Sequence, residues 1–335
     1  MHEAVAVNDP SGVAEIRRRA AAITQPFGFD DDASGRLALA VTELGTNLVK
    51  HAGGGTVLFR SVARGETAGL EVVAFDKGPG IANVAASMRD GYSTKTSPGL
   101  GLGSMQRLTT GLEIFSQPGR GTVSRFEAWP DKVARPAEIF DVGAVCVPKP
   151  GETVSGDNWR FHHDQDRCEV IVADGLGHGP EAATASRLAC TTAVREFDRA
   201  PLDQMTAIHA ALRPTRGAAA AIAVLRPALG EGAFCGVGNI ACSTRIDDRA
   251  RSLVSYNGTL GHHMRKPQEF GFPFPSGGLL IMHSDGIGTH WDLSRYPGLA
   301  ARHPGIVAAV LFRDFQRGND DATVVVARLS TATAT

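Results

Sequence analysis

Residues 41–52 read VTELGTNLVKHA and belong to a helical pattern that runs from Gly35 to His51. Apolar side chains recur there at the spacing of one helix face, at Leu37, Val41, Leu44 and Leu48. The glycine run 53–55 ends the predicted helix. Glu43 and Asn47 are four residues apart and share a face beside the apolar stripe. A carboxylate and an amide in this arrangement can act as a base and a Mg²⁺ ligand, although a solvated polar face is the commoner explanation for such a pair alone.

Two later segments favour the functional interpretation of that pair. A strand-like run at 72–75 ends in Asp76-Lys77-Gly78-Pro79-Gly80, where a carboxylate is followed by glycines that let the backbone approach a flat ring. Alternate glycines then precede a helix, at Gly99, Gly101 and Gly103. A glycine loop at a helix N-terminus favours phosphate. The spacing fits neither a Rossmann fingerprint nor a P-loop. The three segments in this order predict a nucleotide pocket.

VTELGTNLVKHA, FDKGPGI and GLGLGSMQRL resemble the N, G1 and G2 boxes of the Bergerat-fold (GHKL) ATPases. Residues 88–108 are most similar to small serine kinases and anti-sigma proteins, especially the switch kinase of the bacterial stressosome. The resemblance covers residues ~10–130 and implies an α/β sandwich that binds ATP with Mg²⁺. It implies Glu43 as the catalytic base, Asn47 as the Mg²⁺ ligand and Asp76 as the adenine acceptor. The other implied nucleotide-binding residues are Gly78, Gly80, Gly99, Gly101, Gly103 and Thr122.

Acidic residues at strand ends or turns mark the second half of the chain. They occur in Gly156-Asp157, Ala173-Asp174-Gly175, Ser284-Asp285-Gly286 and Asn319-Asp320-Asp321. Each Asp-Gly alone is usually a turn, but strand ends of one sheet can bring several carboxylates to one point. An all-oxygen cluster suits Mg²⁺ or Mn²⁺ rather than zinc. Two such ions activate water and clamp a phosphoryl oxygen, so the pattern predicts hydrolysis of a phosphate ester.

GDNW, VADGLGHGPEAATAS, FCGVGNI, MHSDGIG and NDDATVVVARL resemble the metal-dependent PP2C-like phosphatases of the SpoIIE branch. Two of these segments, ADGLGHG and FCGVGNI, are most similar to the stressosome feedback phosphatase. The resemblance covers residues ~137–330 and implies an αββα sandwich. The implied metal ligands are Asp157, Asp174, Asp285, Asp320 and the carbonyl of Gly175. Asp321 stays an alternative to Asp320. His178 is interpreted as a loop residue, with phosphate positioning or proton donation as the alternative.

Composition excludes several function classes. The 335 residues include 34 basic and 35 acidic side chains, so the net charge is −1. Neither that charge nor three Trp and three Tyr favours nucleic-acid binding. The sequence contains no uninterrupted apolar run of about 18 residues, so it predicts no membrane span. The opening MHEAVAVNDP lacks the apolar core of a secretory signal, and five widely spaced cysteines suit reduced thiols. We therefore expect a cytoplasmic protein.

The predicted fold class is mixed α/β (α+β) in two domains. Residues 1–133 would form the Bergerat-type α/β sandwich, and residues 134–335 the PP2C-like αββα sandwich. The polar, proline-bounded stretch 130–136 is the predicted linker. The second domain is expected to be β-rich around a single long helix from about Pro180 to about Phe197.

Three hypotheses for the whole chain follow. In the first, a serine/threonine kinase and an opposing phosphatase act on STAS-domain scaffold or anti-anti-sigma proteins in a partner-switching pathway. In the second, the ATP-binding half only sequesters a sigma factor or other partner, and the phosphatase acts on an anti-anti-sigma factor. A downstream signalling enzyme as the partner would favour the first hypothesis. The third, a decayed scaffold, is disfavoured because the expected aspartates and glycines are present. The sequence leaves the oligomeric state open.

Overall fold

The computed structural model describes residues 1–88, 101–131, 139–247 and 249–329. The chain divides into two compact units, His2–Pro136 and Ala137–Thr335, with Met1 assigned to the second. The boundary expected at 133/134 lies outside the described residues and stays a prediction. Within the described ranges, no helix is long and apolar enough to cross a membrane.

The first unit is an α/β sandwich built on one antiparallel sheet. Its strands are β1 (Glu3–Val7), β2 (Gly55–Arg64), β3 (Thr67–Phe75), β4 (Thr110–Ser116) and β5 (Thr122–Ala128). They lie in the order β1-β2-β3-β5-β4. Its helices are α1 (Pro10–Thr24), α2 (Asp31–Asn47), α3 (Val84–Ser87) and α4 (Gly101–Leu108). Apolar residues of helices and sheet form one buried core, which includes Ile16, Leu37, Val41, Phe59 and Val72.

Helix α2 begins four residues earlier than the apolar pattern predicts. Asp30 caps it, because its Oδ1 accepts the N–H of Ala33 at 2.7 Å. After Asn47 the chain continues as a π-helical turn over Leu48–Ala52 and ends at Gly53, which has a φ of 74°. Glycine adopts this left-handed conformation at little cost. The widening from α to π geometry therefore begins immediately after Asn47, a position typical of functional sites.

The second unit is built from two five-stranded sheets. Its main strands are β6 (Phe140–Val147), β7 (Asp157–His163), β8 (Cys168–Gly175), β9 (Ala218–Arg226), β10 (Glu231–Val237), β11 (Ala241–Ile246), β12 (Arg249–Leu253), β13 (Gly258–Thr259), β14 (His263–Met264), β15 (Phe270–Pro273), β16 (Leu279–His283) and β17 (Ala322–Leu329). One sheet has the order β15-β10-β9-β8-β7 and the other β12-β11-β16-β17-β6. β13 and β14 form a small hairpin.

Helices cover both sheets of this unit. They are α5 (Pro180–Arg195), α6 (Pro201–Ala211) and α7 (Pro304–Phe315). Residues of both sheets share one buried core, which includes Val170, Val172, Phe234, Met282 and Val325. Helices α5 and α6 pack on the outer side of the first sheet through residues such as Ala189 and Met205, and α7 packs on β6 and β17. The expected αββα sandwich is confirmed.

The expectation of a single long helix in the second half is wrong, since α6 and α7 are also present. Helix α7 reads PGIVAAVLFRDF, and every residue from Pro304 to Arg313 is buried. A helix buried on all sides has no polar face and therefore no readable 3.6-residue stripe. Helix α6 did carry a signal, because a proline at its start precedes apolar residues three apart, at Leu202, Met205 and Ile208.

Buried ion pairs join three strands of the first sheet. Glu71 on β3 is 1% exposed, and its carboxylate accepts from Arg60 on β2 at 2.6 Å and from Arg125 on β5 at 2.7 Å. Glu127 pairs with Arg125 and with Arg64. Burial alone would raise the pKa of the Glu71 carboxyl, but the two arginines hold it well below its ordinary range. Each guanidinium group therefore has a buried carboxylate as its counter-charge, with little solvent available to take the place of that carboxylate.

Glu71→Gln should therefore destabilise the first unit by about 3 kcal/mol, because it leaves the buried Arg125 with one counter-charge fewer. Chemical unfolding of the full chain, followed by the transition of this unit, measures the change. Glu66→Gln, in the exposed β2–β3 turn, is the control and should shift stability by no more than about 0.5 kcal/mol. Equal effects of the two substitutions would contradict the argument.

Candidate nucleotide and metal sites

Asp76 is fixed at the end of β3. Its side chain is buried, and its Oδ1 accepts the N–H of Gly78 at 2.8 Å and that of Thr122 at 3.2 Å. The backbone N–H of Asp76 donates to the Thr122 carbonyl at 3.0 Å. The structure therefore brings together Asp76, Gly78 and Thr122, three residues implied by the sequence resemblance. A carboxylate oriented this way suits an amino-group donor such as that of adenine.

Two of the implied glycines permit close backbone approach. A Cβ at Gly78 would lie 2.6 Å from the Ala52 Cα, and one at Gly80 would overlap the Gln117 carbonyl oxygen. Gly80 also has a φ of +73°, which side-chain-bearing residues rarely adopt. Any larger residue at either position would push the 77–81 turn away from its neighbours.

A serine that the sequence analysis missed supports the same turn. The Ser116 Oγ accepts the N–H of Ile81 at 2.7 Å, donates to the Gly121 carbonyl at 3.0 Å and lies 2.9 Å from the Thr122 Oγ1. A serine at the end of a strand carries no motif of its own. Its role becomes visible only when β4 and β5 are paired.

Glu43 and Asn47 lie one helical turn apart on α2, and both are half-buried. The Glu43 Oε1 accepts the N–H of Gly101 at 3.2 Å, which joins the predicted base to the glycine segment at the start of α4. Gly103 is buried in that helix. Gly99 lies outside the described residues. The structure thus associates Glu43 with the glycine segment, while the roles of Glu43 and Asn47 stay predictions.

Carboxylates of the second unit gather at one end of its two sheets. Asp157 and Asp174 are directly opposed in the β7–β8 register. Asp285 follows β16, and Asp320 and Asp321 precede its neighbour β17. Because these strand pairs are antiparallel, the end of one strand lies beside the start of the next.

Hydrogen bonds tie this end of the two sheets together. The Ser284 Oγ donates to the Asp157 Oδ2 at 2.6 Å and accepts the Thr323 N–H at 3.0 Å. The Gly175 N–H donates to the Gly156 carbonyl at 3.1 Å. Ser284 therefore connects a strand of one sheet to two strands of the other.

These acidic residues interact electrostatically. Burial, followed by the charges of the other four aspartates, raises the pKa of Asp174 to about 9. Burial raises the pKa of Asp157 to about 7, with Asp321 and Asp285 adding to the effect and the Ser284 hydrogen bond opposing it. Burial and Asp320 also raise the pKa of Asp285, against the charge of Arg317. The folded protein therefore destabilises the ionised form of each of these three side chains.

Two buried oxygens of this group, the Asp157 Oδ1 and the Asp321 Oδ2, have no hydrogen-bond partner in the described part of the chain. Such atoms are costly unless a cation or donor satisfies them. Across the described residues, however, no three Asp, Glu, His or Cys side chains form a ready-made metal-binding group. The aspartates are neighbours without being a preassembled ligand shell. Their oxygen-only chemistry and the two unsatisfied atoms fit Mg²⁺ or Mn²⁺.

The structure gives Asp320 and Asp321 different environments. Asp321 is 3% exposed, and its Oδ1 accepts the Lys149 N–H at 2.9 Å. Asp320 is exposed, and its Oδ1 accepts the Asp321 N–H at 2.9 Å. Asp321 contributes an unsatisfied buried oxygen, whereas the Asp320 side chain is exposed. Both stay candidates for the last ligand.

Two other polar contacts at this site were missed by sequence reasoning. The Asn239 Nδ2 donates to the Asp285 Oδ2 at 2.7 Å, so the FCGVGNI segment supplies a residue that orients a candidate ligand. The His178 Nδ1 lies 2.6 Å from the Glu152 Oε1, and both side chains are partly exposed. His178 is thus a paired loop residue.

Comparisons with known proteins agree with this division of the chain. Residues 6–126 match the family of histidine kinase-like ATPase domains, and residues 164–330 match the stage II sporulation protein E (SpoIIE) family. The serine/threonine-protein kinase RsbT of Bacillus subtilis (strain 168) is 33% identical over 107 residues, which are 32% of this chain and 80% of RsbT.

Solved structures resemble the chain as well. One, from work on the bacterial stressosome as a modular system adapted to control secondary messenger signalling, is 27% identical with a TM-score of 0.54. It covers 57% of this chain and 100% of its own. RsbX in complex with magnesium is 20% identical with a TM-score of 0.53, over 58% of this chain and 98% of RsbX, and this likeness shows the fold.

These matches confirm the expected fusion of a GHKL-like kinase domain with a PP2C-like phosphatase domain, and with it the two enzyme classes. RsbT is matched over most of its length, and the SpoIIE family accounts for the aspartate-bearing strands from β8 onward. The chain belongs to the RsbT-like histidine kinase-like ATPases through its first unit, and it joins this domain to a SpoIIE-type phosphatase domain.

Proposed function

We propose that this chain is a bifunctional partner-switching regulator of the cytoplasm. Its first unit would phosphorylate a serine or threonine of a STAS-domain protein with ATP, and its second unit would remove that phosphate. The observation that carries the proposal is the group of aspartates at one end of the αββα sandwich, with two buried oxygens left unsatisfied. Clustering partly buried carboxylates destabilises the fold unless a cation binds them, so the cluster indicates a functional site.

The phosphatase half would hold Mg²⁺ or Mn²⁺ through Asp157, Asp174, Asp285 and the Gly175 carbonyl, with Asp320 or Asp321 completing the set. A bound divalent ion of this kind makes water a better nucleophile and stabilises charge on a phosphoryl group. Ser284 and Asn239 would orient the carboxylates from outside the ligand set, because each donates to one of them. Water would attack phosphorus, and the serine or threonine oxygen would leave and take up a proton.

The kinase half would bind ATP between the 76–81 turn and the glycine segment. Asp76 would accept from the adenine amino group, Gly101 and Gly103 would approach the phosphates, and Asn47 would hold Mg²⁺. Glu43 would accept the proton of the attacking hydroxyl as its oxygen bonds to the γ-phosphorus and ADP leaves. A carboxylate can accept several hydrogen bonds, so Glu43 can accept from the substrate hydroxyl as well as from the Gly101 N–H.

The similarity to RsbT and to a stressosome structure supports STAS-domain proteins as the substrates. One observation favours a second candidate function. The Glu43 carboxylate already has a backbone partner, which suits a module that binds ATP and sequesters a protein without phosphorylating it. In that case a sigma factor or other partner would bind the first unit in an ATP-dependent manner, and the phosphatase would act on an anti-anti-sigma factor.

Asp174→Asn should lower hydrolysis of p-nitrophenyl phosphate in the presence of Mn²⁺ by about a hundredfold or more, because it weakens the metal site directly. Steady-state rates of the full chain, with the unfolding midpoint checked for each variant, provide the measurement. Asp166→Asn, in the exposed β7–β8 turn, should retain the wild-type rate. If Asp174→Asn stays active, the phosphatase site lies elsewhere.

When a chelator removes divalent ions, the thermal stability of the second unit should fall as the pH rises. The folded-state pKa values of Asp174 and Asp157 are raised to about 9 and about 7, above the ordinary value of about 3.9. The folded protein therefore binds protons more tightly in this window, and that stabilisation is lost as each folded pKa is passed. Thermal unfolding in EDTA should show a midpoint about 5 °C lower at pH 9 than at pH 5.

Added Mg²⁺ or Mn²⁺ should cancel most of that decrease, and Asp174→Asn should flatten it in EDTA. A midpoint that rises with pH in EDTA would show that the aspartates are not electrostatically strained.

Glu43→Gln should abolish transfer of labelled phosphate from ATP to STAS-domain proteins while leaving ATP affinity within about threefold of wild type. Asp76→Asn should instead weaken ATP binding, because an amide presents a weaker acceptor. Calorimetric titration with ATP and a phosphotransfer assay separate the two effects. Wild-type chain that binds ATP but phosphorylates no STAS-domain protein would favour sequestration.

A further inference from the structure

Arg216 lies beside the loop that follows the Asp174-Gly175 strand end. Residues 176–179 connect β8 to α5, and a Cβ at Gly177 would lie 3.3 Å from the Arg216 Nη1. The backbones of the two segments are joined next to this contact, because the Leu176 N–H donates to the Gly217 carbonyl at 3.0 Å. The backbone that carries Arg216 is therefore fixed beside this loop.

An ion pair orients the guanidinium further. Glu181, in the first turn of α5, pairs with the Arg216 Nη2. The side chains of Arg216 and Glu181 are 51% and 68% exposed. One edge of the guanidinium is thus directed to Glu181, and Nη1 lies at Gly177 within reach of solvent. This is a planar fork presented at the surface.

The same loop adjoins the aspartate group. The Gly177 carbonyl oxygen lies 3.3 Å from the position of a Cβ on Gly156, and that position is 2.7 Å from the unsatisfied Oδ2 of Asp321. Gly177 therefore has Arg216 on one side and the acidic group on the other.

We propose that Arg216 binds the phosphoryl group of the phosphoserine or phosphothreonine substrate. This inference rests on the proposed phosphatase function. A phosphoryl dianion approaching a site lined by aspartates meets like charge, and an arginine at the rim offsets that repulsion. The guanidinium fork can donate to two phosphoryl oxygens at once, which a lysine cannot reproduce. Glu181 is a positioning residue that keeps the fork at the rim.

Kinetics of the full chain with Mg²⁺ and p-nitrophenyl phosphate test this assignment. Arg216→Gln should raise KM, and the inhibition constant of inorganic phosphate, by about tenfold each, with kcat changed by less than about threefold. Arg216→Lys should recover only part of the loss. Arg213→Gln removes an exposed charge from the same segment and should match wild type in all three constants.

A binding measurement separates this inference from the proposed function. Inorganic phosphate with Mg²⁺ should raise the thermal midpoint of wild type and of Arg213→Gln, and do so much less for Arg216→Gln. If wild type hydrolyses p-nitrophenyl phosphate and Arg216→Gln keeps its KM and phosphate inhibition, the Arg216 assignment is overturned and the phosphatase function stands. If wild type shows no hydrolysis, the proposed phosphatase function fails. Independently of hydrolysis, an equal phosphate-induced rise of the thermal midpoint in Arg216→Gln and in wild type would overturn the Arg216 assignment. A kcat loss with a lowered unfolding midpoint and unchanged KM would indicate a structural role and also overturn it.

Discussion

The burial and mutual repulsion of clustered aspartates form the constraint around which the second unit is organised. Antiparallel pairing of β7 with β8 and of β16 with β17 forces acidic strand ends into proximity, and burial then raises the pKa of Asp157 and Asp174. Apolar packing between the sheets has to offset that cost. A fold that keeps such an arrangement is organised for a ligand of opposite charge, and the surrounding donors Ser284 and Asn239 hold the acceptors at fixed positions.

The first unit differs in that the ligand proposed for it, ATP, is an anion. Its site consists largely of backbone, with glycines that allow close approach at 78 and 80 and a helix that begins at Gly101. Asp76 accepts from the backbone N–H groups of Gly78 and Thr122. In the function proposed above, the two halves would therefore handle phosphate by opposite means, the first through backbone amides and the second through carboxylates suited to metal.

Sequence reasoning reached the sheets and the site motifs because their signals are local. Asp76, Gly78 and Thr122 could be named in advance, and the structure brings them together. The sequence did not reveal the roles of Ser116 and Ser284, because these roles depend on contacts with segments that are distant in the sequence. A lone serine belongs to no periodic pattern or motif. Helix α7 escaped for the opposite reason, because its apolar surface extends around the whole helix. Contacts of Arg216 likewise join segments that are about 40 residues apart in the sequence.

The hydrogen bond between Ser284 and Asp157 depends on how the two sheets of the sandwich are aligned. One hydroxyl reaches Asp157 on the first sheet and the backbone of Thr323 on the second. A displacement of one sheet along the other by a single residue, roughly 3.3 Å, would break the bond between Ser284 and Asp157 and move Asp157 and Asp174 away from the aspartates of the other sheet. Correct assembly of the two layers would therefore also bring together the proposed metal ligands. A sandwich whose two sheets are misaligned would fail to bind the proposed metal, even if every strand had formed.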